Sequence, residues 1–213
     1  MHCEICWTRN DYFKDAKRKS IYYICYYCQF ISKDPKVYPN FETQETRYNL
    51  HQNKEDDVGY QAYFQKFLDF TLPLLKEEIQ DALDFGCGRT SLLAQMLEKK
   101  NITCDYYDPI YHPNILQDNK CYDLIVSTEV FEHLHKPKEV FASLVGKLNP
   151  KGYLAIQTAF HPNDNEKFKT WYYPQDSTHI VFFTPKTFEV LSKMYGCKVI
   201  KDNDKNMIVI QKI

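Results

Sequence analysis

Leu83-Asp84-Phe85-Gly86-Cys87-Gly88 decides how the rest of the chain is read. A short apolar run over residues 81–85 ends in glycines, and Leu92, Leu93, Met96 and Leu97 then recur on one helical face. Glycine directly after a strand permits a tight turn and brings the backbone close to a ligand. The amides that open the following helix form an electropositive mouth. Asp84 precedes the first glycine, and a carboxylate there suits an amino-bearing ligand better than a pyrophosphate. Asp108 comes about twenty residues later, at the end of the next strand (102–107), where a carboxylate can accept from two ribose hydroxyls.

Outward from this turn the strand–helix alternation continues. Residues 122–127 (YDLIVS) form a strand, and residues 137–148 form a helix with Pro137 at its first position. Residues 152–158 (GYLAIQT) make a further strand. Thr184-Pro185 opens a helix that Gly196 closes, and residues 197–201 and 207–213 flank a polar turn as a terminal hairpin. Strands separated by helices predict an α/β fold with a doubly wound, mostly parallel sheet, to which the hairpin adds one antiparallel strand. Upstream, Tyr60, Tyr63, Phe64, Phe67, Leu68 and Leu72 predict a helix between about residues 45 and 79. Pro35 and Pro39 mark a linker that divides the chain into residues 1–40 and 41–213.

The eight cysteines fall into two sets. Cys3, Cys6, Cys25 and Cys28 form two C-x2-C pairs separated by eighteen residues, while Cys87, Cys104, Cys121 and Cys197 are scattered. Two thiolate pairs on turns can supply a tetrahedral sulfur cage for Zn²⁺. An iron–sulfur cluster also uses four cysteines, but the ribbon-like spacing favours zinc. A segment of about 40 residues buries too little surface to fold unaided, and zinc coordination contributes on the order of 10 kcal/mol. Residues 1–40 therefore read as a small N-terminal zinc ribbon around aromatics such as Trp7, Tyr22, Tyr23 and Phe30.

Composition bounds the function. Of 213 residues, 44% are hydrophobic and 26% charged, enough for a packed core. No apolar run approaches the roughly 18 residues that span a bilayer, and no secretory leader is visible, so a cytoplasmic protein is expected. A net charge of −1 argues against a dominant phosphate-binding role. One local exception is the stretch 9–19, with five basic and two acidic residues around Tyr12 and Phe13.

From residue 45 to the end, the sequence resembles the class I S-adenosylmethionine-dependent methyltransferases. LDFGCG is similar to the family's first motif and YYDP (106–109) to its acidic second-strand end. YDLIVSTEVFEHL (122–134) resembles the fourth-strand motif, and LNPKGYLAIQT (148–158) the turn into the fifth strand. There are departures. Arg89-Thr90 stands where a third glycine is usual, Lys151 replaces a turn glycine, and the stretch 108–122 is short for a full third strand and helix. The resemblance implies a seven-stranded-type sheet, with Gly86 and Gly88 along the methionine part of the cofactor, Asp84 at its amino group and Asp108 at its ribose. Ser127, Thr128 and Glu129 should lie near the methionine moiety or the acceptor, whereas Glu132 and His133 read as structural.

Two more segments resemble patterns in bacterial methyltransferases related to the ubiquinone-biosynthesis methylases. In the first, Tyr48 and His51 are candidate contacts for the cofactor carboxylate, or helix caps. The second runs from Trp171 to His179, where Asp176 and His179 make either a general-base pair or a structural one. The expected function is methyl transfer to an O, C or N atom of a small-molecule metabolite. The alternatives are an RNA methyltransferase that recognises its substrate through the zinc module, and a non-catalytic cofactor-binding scaffold.

Overall fold

Alternating strands and helices from residue 81 onward close into a six-stranded mixed sheet. The computed structural model describes residues 1–40, 42, 43, 46, 57–113 and 120–213. Its strands there are β4 (Asp81–Phe85), β5 (Thr103–Tyr107), β6 (Tyr122–Thr128), β7 (Leu148–Gln157), β9 (Cys197–Asp202) and β10 (Met207–Lys212). They lie in the order β5-β4-β6-β7-β10-β9. The first four are parallel, while β10 runs antiparallel to both β7 and β9, as the terminal hairpin requires. This is a Rossmann-like α/β fold. The sheet has six strands among the described residues, one fewer than the seven-stranded pattern, consistent with the short 108–122 stretch.

Strand alternation sends neighbouring side chains to opposite faces. Ala82, Leu124 and Val126 point to one side, where Phe64, Phe67 and Leu68 of α1 (Val58–Thr71) and Leu93 and Leu97 of α2 (Leu92–Glu98) cover them. Leu83, Ile125 and Leu154 point to the other, under Phe141 and Leu144 of α3 (Pro137–Gly146) and Phe188 and Leu191 of α5 (Pro185–Met194). Within the helix foreseen over about 45–79, α1 covers Val58–Thr71. The Asp57 side chain caps it by accepting from Gly59 and Tyr60, and Pro73, which lacks an N–H, turns the chain into a 3-10 turn.

A second sheet joins the two ends of the chain. Strands β1 (Asp11–Asp15), β2 (Ser20–Ile24) and β3 (Ile31–Lys33) pair antiparallel in sequence order, and β3 then pairs with β8 (Val181–Phe182). The short helix α4 (Asn165–Thr170) contributes Phe168 to the core of this sheet, beside Phe13, Tyr22 and Phe182. Cys3, Ile5, Cys25, Cys28 and Phe30 belong to the same buried cluster as Phe183, Phe188 and Leu191. Residues 1–40 thus share both a sheet and a core with the C-terminal half.

Candidate functional site

The carboxyl ends of β4, β6 and β7 carry a row of buried polar atoms. Among the described residues, Asp84 Oδ2, Ser127 Oγ and Gln157 Oε1 are buried without a hydrogen-bond partner. Folded proteins rarely leave such groups unpaired, and their grouping at strand ends marks a ligand site. Burial lifts the Asp84 carboxyl to about 7, so a cationic partner would restore its ionised form. Beside it the chain turns sharply: Gly86 and Gly88 sit at φ +83° and +66°, and the amides of Gly86 and Cys87 both donate to the Tyr107 carbonyl. A Cβ on Gly86 would stand 2.2 Å from Val130 Cγ2, so only glycine fits where this turn meets the segment after β6.

Asp108 closes the turn from the β5 side. Its Oδ2 accepts from Gly88 N at 3.2 Å, and its Oδ1 from Ile110 N and Tyr111 N at 2.8 and 3.0 Å. Two carboxylate oxygens offer about four lone-pair positions, so Asp108 holds the loop and keeps acceptor capacity. Arg89, at the usual third-glycine position, lies over the Tyr111 ring at 4.8 Å.

Past the end of β6, at Glu129, opens a cavity of about 610 Å³, whose lining includes Tyr63, Glu129, Trp171, Tyr172, Tyr173 and His179. Glu129 follows β6 in a left-handed conformation (φ +54°), which a non-glycine residue adopts at a cost. Its Oε1 accepts from the Tyr63 hydroxyl at 2.8 Å, and its Oε2 from the Tyr173 hydroxyl at 3.1 Å. The Tyr173 hydroxyl also reaches Glu132 Oε1 at 2.5 Å, and Glu132 Oε2 accepts from Thr158 Oγ1 at 2.8 Å. Burial, then the neighbouring Glu132 charge, raises Glu129 to about 8; burial also raises Glu132, which is fully enclosed.

Residues 58–202, more than half of the chain, match the family model described as a methyltransferase domain. The chain belongs to this methyltransferase family. Among solved structures, the chain is similar to an O-methyltransferase family protein from Burkholderia thailandensis. The identity is 14% and the TM-score 0.53, over 79% of this chain and 62% of that one. It is also similar to the mitomycin 7-O-methyltransferase MmcR, with 12% identity and a TM-score of 0.50, over 75% of this chain and 59% of that one. The chain therefore spans about three-fifths of the length of those chains, and at such identities the likeness is one of fold. No curated protein matches it. Among the described residues no helix is long and apolar enough to cross a membrane.

The sequence-predicted residues divide by location. Asp84, Gly86, Gly88, Asp108 and Ser127 gather at the strand ends, and Asp176 and His179 line the cavity. Tyr48 and His51 lie outside the described residues. The His179 ring is held by the Tyr173 carbonyl, 2.8 Å from Nδ1, while Asp176 Oδ1 accepts from Thr178 N and Oγ1. Burial depresses His179 to about 3, so its ring is neutral near pH 7. Glu132, in the first turn of the short 3-10 helix Phe131–His133, is fully enclosed. Tyr63 was visible only as a core position of its helix. His161 is buried away from the cavity, between Gln29 O (2.6 Å) and Asn163 N (3.0 Å).

Cys3, Cys6, Cys25 and Cys28 converge with sulfur separations of 3.4 to 3.6 Å, and the four form one metal-competent group. Three are fully buried, and the Thr187 hydroxyl donates to the Cys28 carbonyl at 2.9 Å, tying the cage to α5.

Proposed function

We propose that this methyltransferase transfers a methyl group from S-adenosylmethionine to an O, C or N atom of a small-molecule acceptor, with one structural Zn²⁺ in its four-cysteine cage. The observation that carries the reading is the row of unpartnered polar atoms, Asp84 Oδ2, Ser127 Oγ and Gln157 Oε1, beside an aromatic cavity of metabolite size. These residues fit the cofactor. Asp84 would take its ammonium, Gly86 and Gly88 would admit the methionine part, and Asp108 would hold the ribose. When bound, S-adenosylmethionine supplies a methyl group already activated by its sulfonium, so the protein supplies alignment and exclusion of water. Tyr63, Trp171, Tyr172 and Tyr173 would wall the acceptor in. His179 would serve it as a neutral ring fixed by the Tyr173 carbonyl, with the Asp176 charge nearby.

The basic stretch 9–19 supports the small-molecule reading over the RNA one. One of its two guanidiniums, Arg18, is committed to Asp15 and to the carbonyls of Lys169 and Trp171. Calorimetry with S-adenosylhomocysteine tests the cofactor, and tighter binding of NAD would overturn it. Turnover on a panel of hydroxyl, amine and carbon-acid metabolites tests the acceptor class. Salt-sensitive RNA binding would favour the alternative instead.

A further inference from the structure

Four side chains able to ligate a metal meet beside the cavity: Glu129, Glu132 and His133 from the segment after β6, and His179 from the segment before β8. One ligand atom each from Glu132, His133 and His179 lies within 4.8 Å of the other two. Glu129 and Glu132 converge on one phenol, since the Tyr173 hydroxyl lies 3.1 Å from the first and 2.5 Å from the second. That hydroxyl has a single hydrogen to give. Among the described residues, neither carboxylate forms an ion pair with a lysine or arginine. Two buried carboxylates without a cation are costly.

The imidazoles add a second kind of donor. His133 Nδ1 is 3.0 Å from the Thr178 carbonyl oxygen, and His179 Nδ1 is 2.8 Å from that of Tyr173. A carbonyl can only accept, so in both rings Nδ1 carries the hydrogen and Nε2 presents its lone pair. The His133 Nε2 faces Glu132 Oε1 at 3.9 Å, too far for a hydrogen bond. Carboxylate oxygens and imidazole nitrogens thus border a common space, within 4.8 Å of one another. Rings anchored through Nδ1 to backbone carbonyls are the arrangement that metal-ligating histidines show.

We propose that Glu132, His133 and His179, with Glu129 as a fourth donor, bind one divalent first-row cation distinct from the zinc of the cysteine cage. Mixed carboxylate and imidazole donors suit Mn²⁺, Fe²⁺, Co²⁺ or Zn²⁺. Glu129 and His179 line the cavity, whereas Glu132 is fully enclosed behind them. The coordination positions left over face the cavity, where they fit an oxygen donor such as a hydroxyl or phenol. This narrows the acceptor of the proposed reaction to an oxygen compound, and that part rests on the methyl-transfer reading; the cation site itself does not.

The test uses the full-length, zinc-loaded protein with Mn²⁺ as the probe and no cofactor present. Continuous-wave EPR should count about one bound Mn²⁺ per chain, and pulsed EPR should show ¹⁴N modulation from imidazole. His179→Gln should weaken binding at least tenfold and reduce the nitrogen modulation, and Glu132→Gln should weaken it similarly. Glu166→Gln, at an exposed surface pair, should change neither. Circular dichroism confirms folding. If Glu132→Gln does not fold, His179→Gln and the wild-type nitrogen signal decide. No stoichiometric Mn²⁺ uptake by folded wild type would overturn the site and leave a proton-sharing carboxylate pair. Binding without nitrogen modulation, or unchanged in both variants, would overturn it too. Failure of S-adenosylhomocysteine to bind in separate calorimetry would instead fall on the methyl-transfer reading alone.

Discussion

The cysteine cage and the carboxylate–imidazole cluster are both metal-competent groups, yet they are built in opposite ways. The cage draws four like ligands from a short stretch of sequence, encloses most of them and leaves no lining in the cavity. The cluster draws unlike ligands from residues 129–133 and 179, and two of its members face a cavity. A closed set of four thiolates suits a structural ion, whereas a set open on one side suits chemistry. Damage to the cage should therefore fall on stability, and damage at the strand ends on ligand binding.

The largest effect should come from emptying the cage. Cys25→Ser/Cys28→Ser removes two ligands from a site whose metal contributes on the order of 10 kcal/mol, comparable to the whole stability of a domain. Elemental analysis should find about one zinc per wild-type chain and none in the variant, which should not fold cooperatively. Zinc retained by the variant would refute the assignment. Since β3 pairs with β8, chelation should speed hydrogen exchange in Val181–Phe182 as well as in Ile31–Lys33. A change confined to residues 1–40 would make the cage an independent module after all.

At the strand ends, Gly86→Ala adds a methyl 2.2 Å from Val130 Cγ2 at φ +83°. Left-handed strain and overpacking together cost about 3 kcal/mol, so affinity for S-adenosylhomocysteine should fall about a hundredfold. Adding Val130→Ala should recover part of the loss; no recovery would place the clash elsewhere. Asp108→Ala should weaken the same ligand about ten- to a hundredfold, as for loss of hydrogen bonds to a charged group. Asp108→Asn should lose less, because its one amide oxygen can still accept from Ile110 and Tyr111, although its nitrogen cannot accept from Gly88. Equal losses would mean that the charge matters and the loop contacts do not.

Smaller effects test the seam between the two regions. Lys33 is buried in β3, with Nζ 3.4 and 3.3 Å from the carbonyls of Asp176 and Ser177. Burial lowers it to about 8, with Asp176 opposing the shift and Arg18 adding to it. Its folded value lies below its ordinary one, so the unfolded chain binds more protons between about pH 8 and 10.5. Across that window wild type should gain stability relative to Lys33→Met, by on the order of 1–3 kcal/mol in denaturant titrations. A difference that does not vary with pH would mean that Lys33 is solvated. Thr184→Ala should cost least, about 1 kcal/mol in the same titrations. It removes a capping box on α5 and the 2.9 Å bond to Gln29 Oε1. An unchanged midpoint would show that the cap at this seam is redundant.

The strand-end site was readable because each of its parts is local. A glycine turn, a carboxylate just before it and another at the next strand end all follow from periodicity and spacing along one βαβ unit. Helix limits were less readable where one residue overrides a pattern: Pro73 stops α1 while apolar spacing continues through Leu75 and Ile79. Glu129 and Glu132 stand three apart after β6, the first read as lying near the cofactor or acceptor and the second as structural. Nothing in that spacing says that Tyr173, over forty residues away, places its hydroxyl between them.

By itself, the amino-acid sequence determined what is written in short-range order: the parallel α/β sheet, the reversal at the terminal hairpin, the glycine turn and the four-cysteine set. Each depends on backbone geometry and residue types within a few turns or strands, where sequence distance and spatial distance run together. Only the tertiary structure decided that β3 is completed by β8, that His161 packs against Gln29, and that His179 joins Glu132 and His133. Those contacts bridge well over forty residues. They are set by which apolar faces bury each other, and by which carbonyls are left to orient a ring, quantities that exist only once the chain has closed on itself.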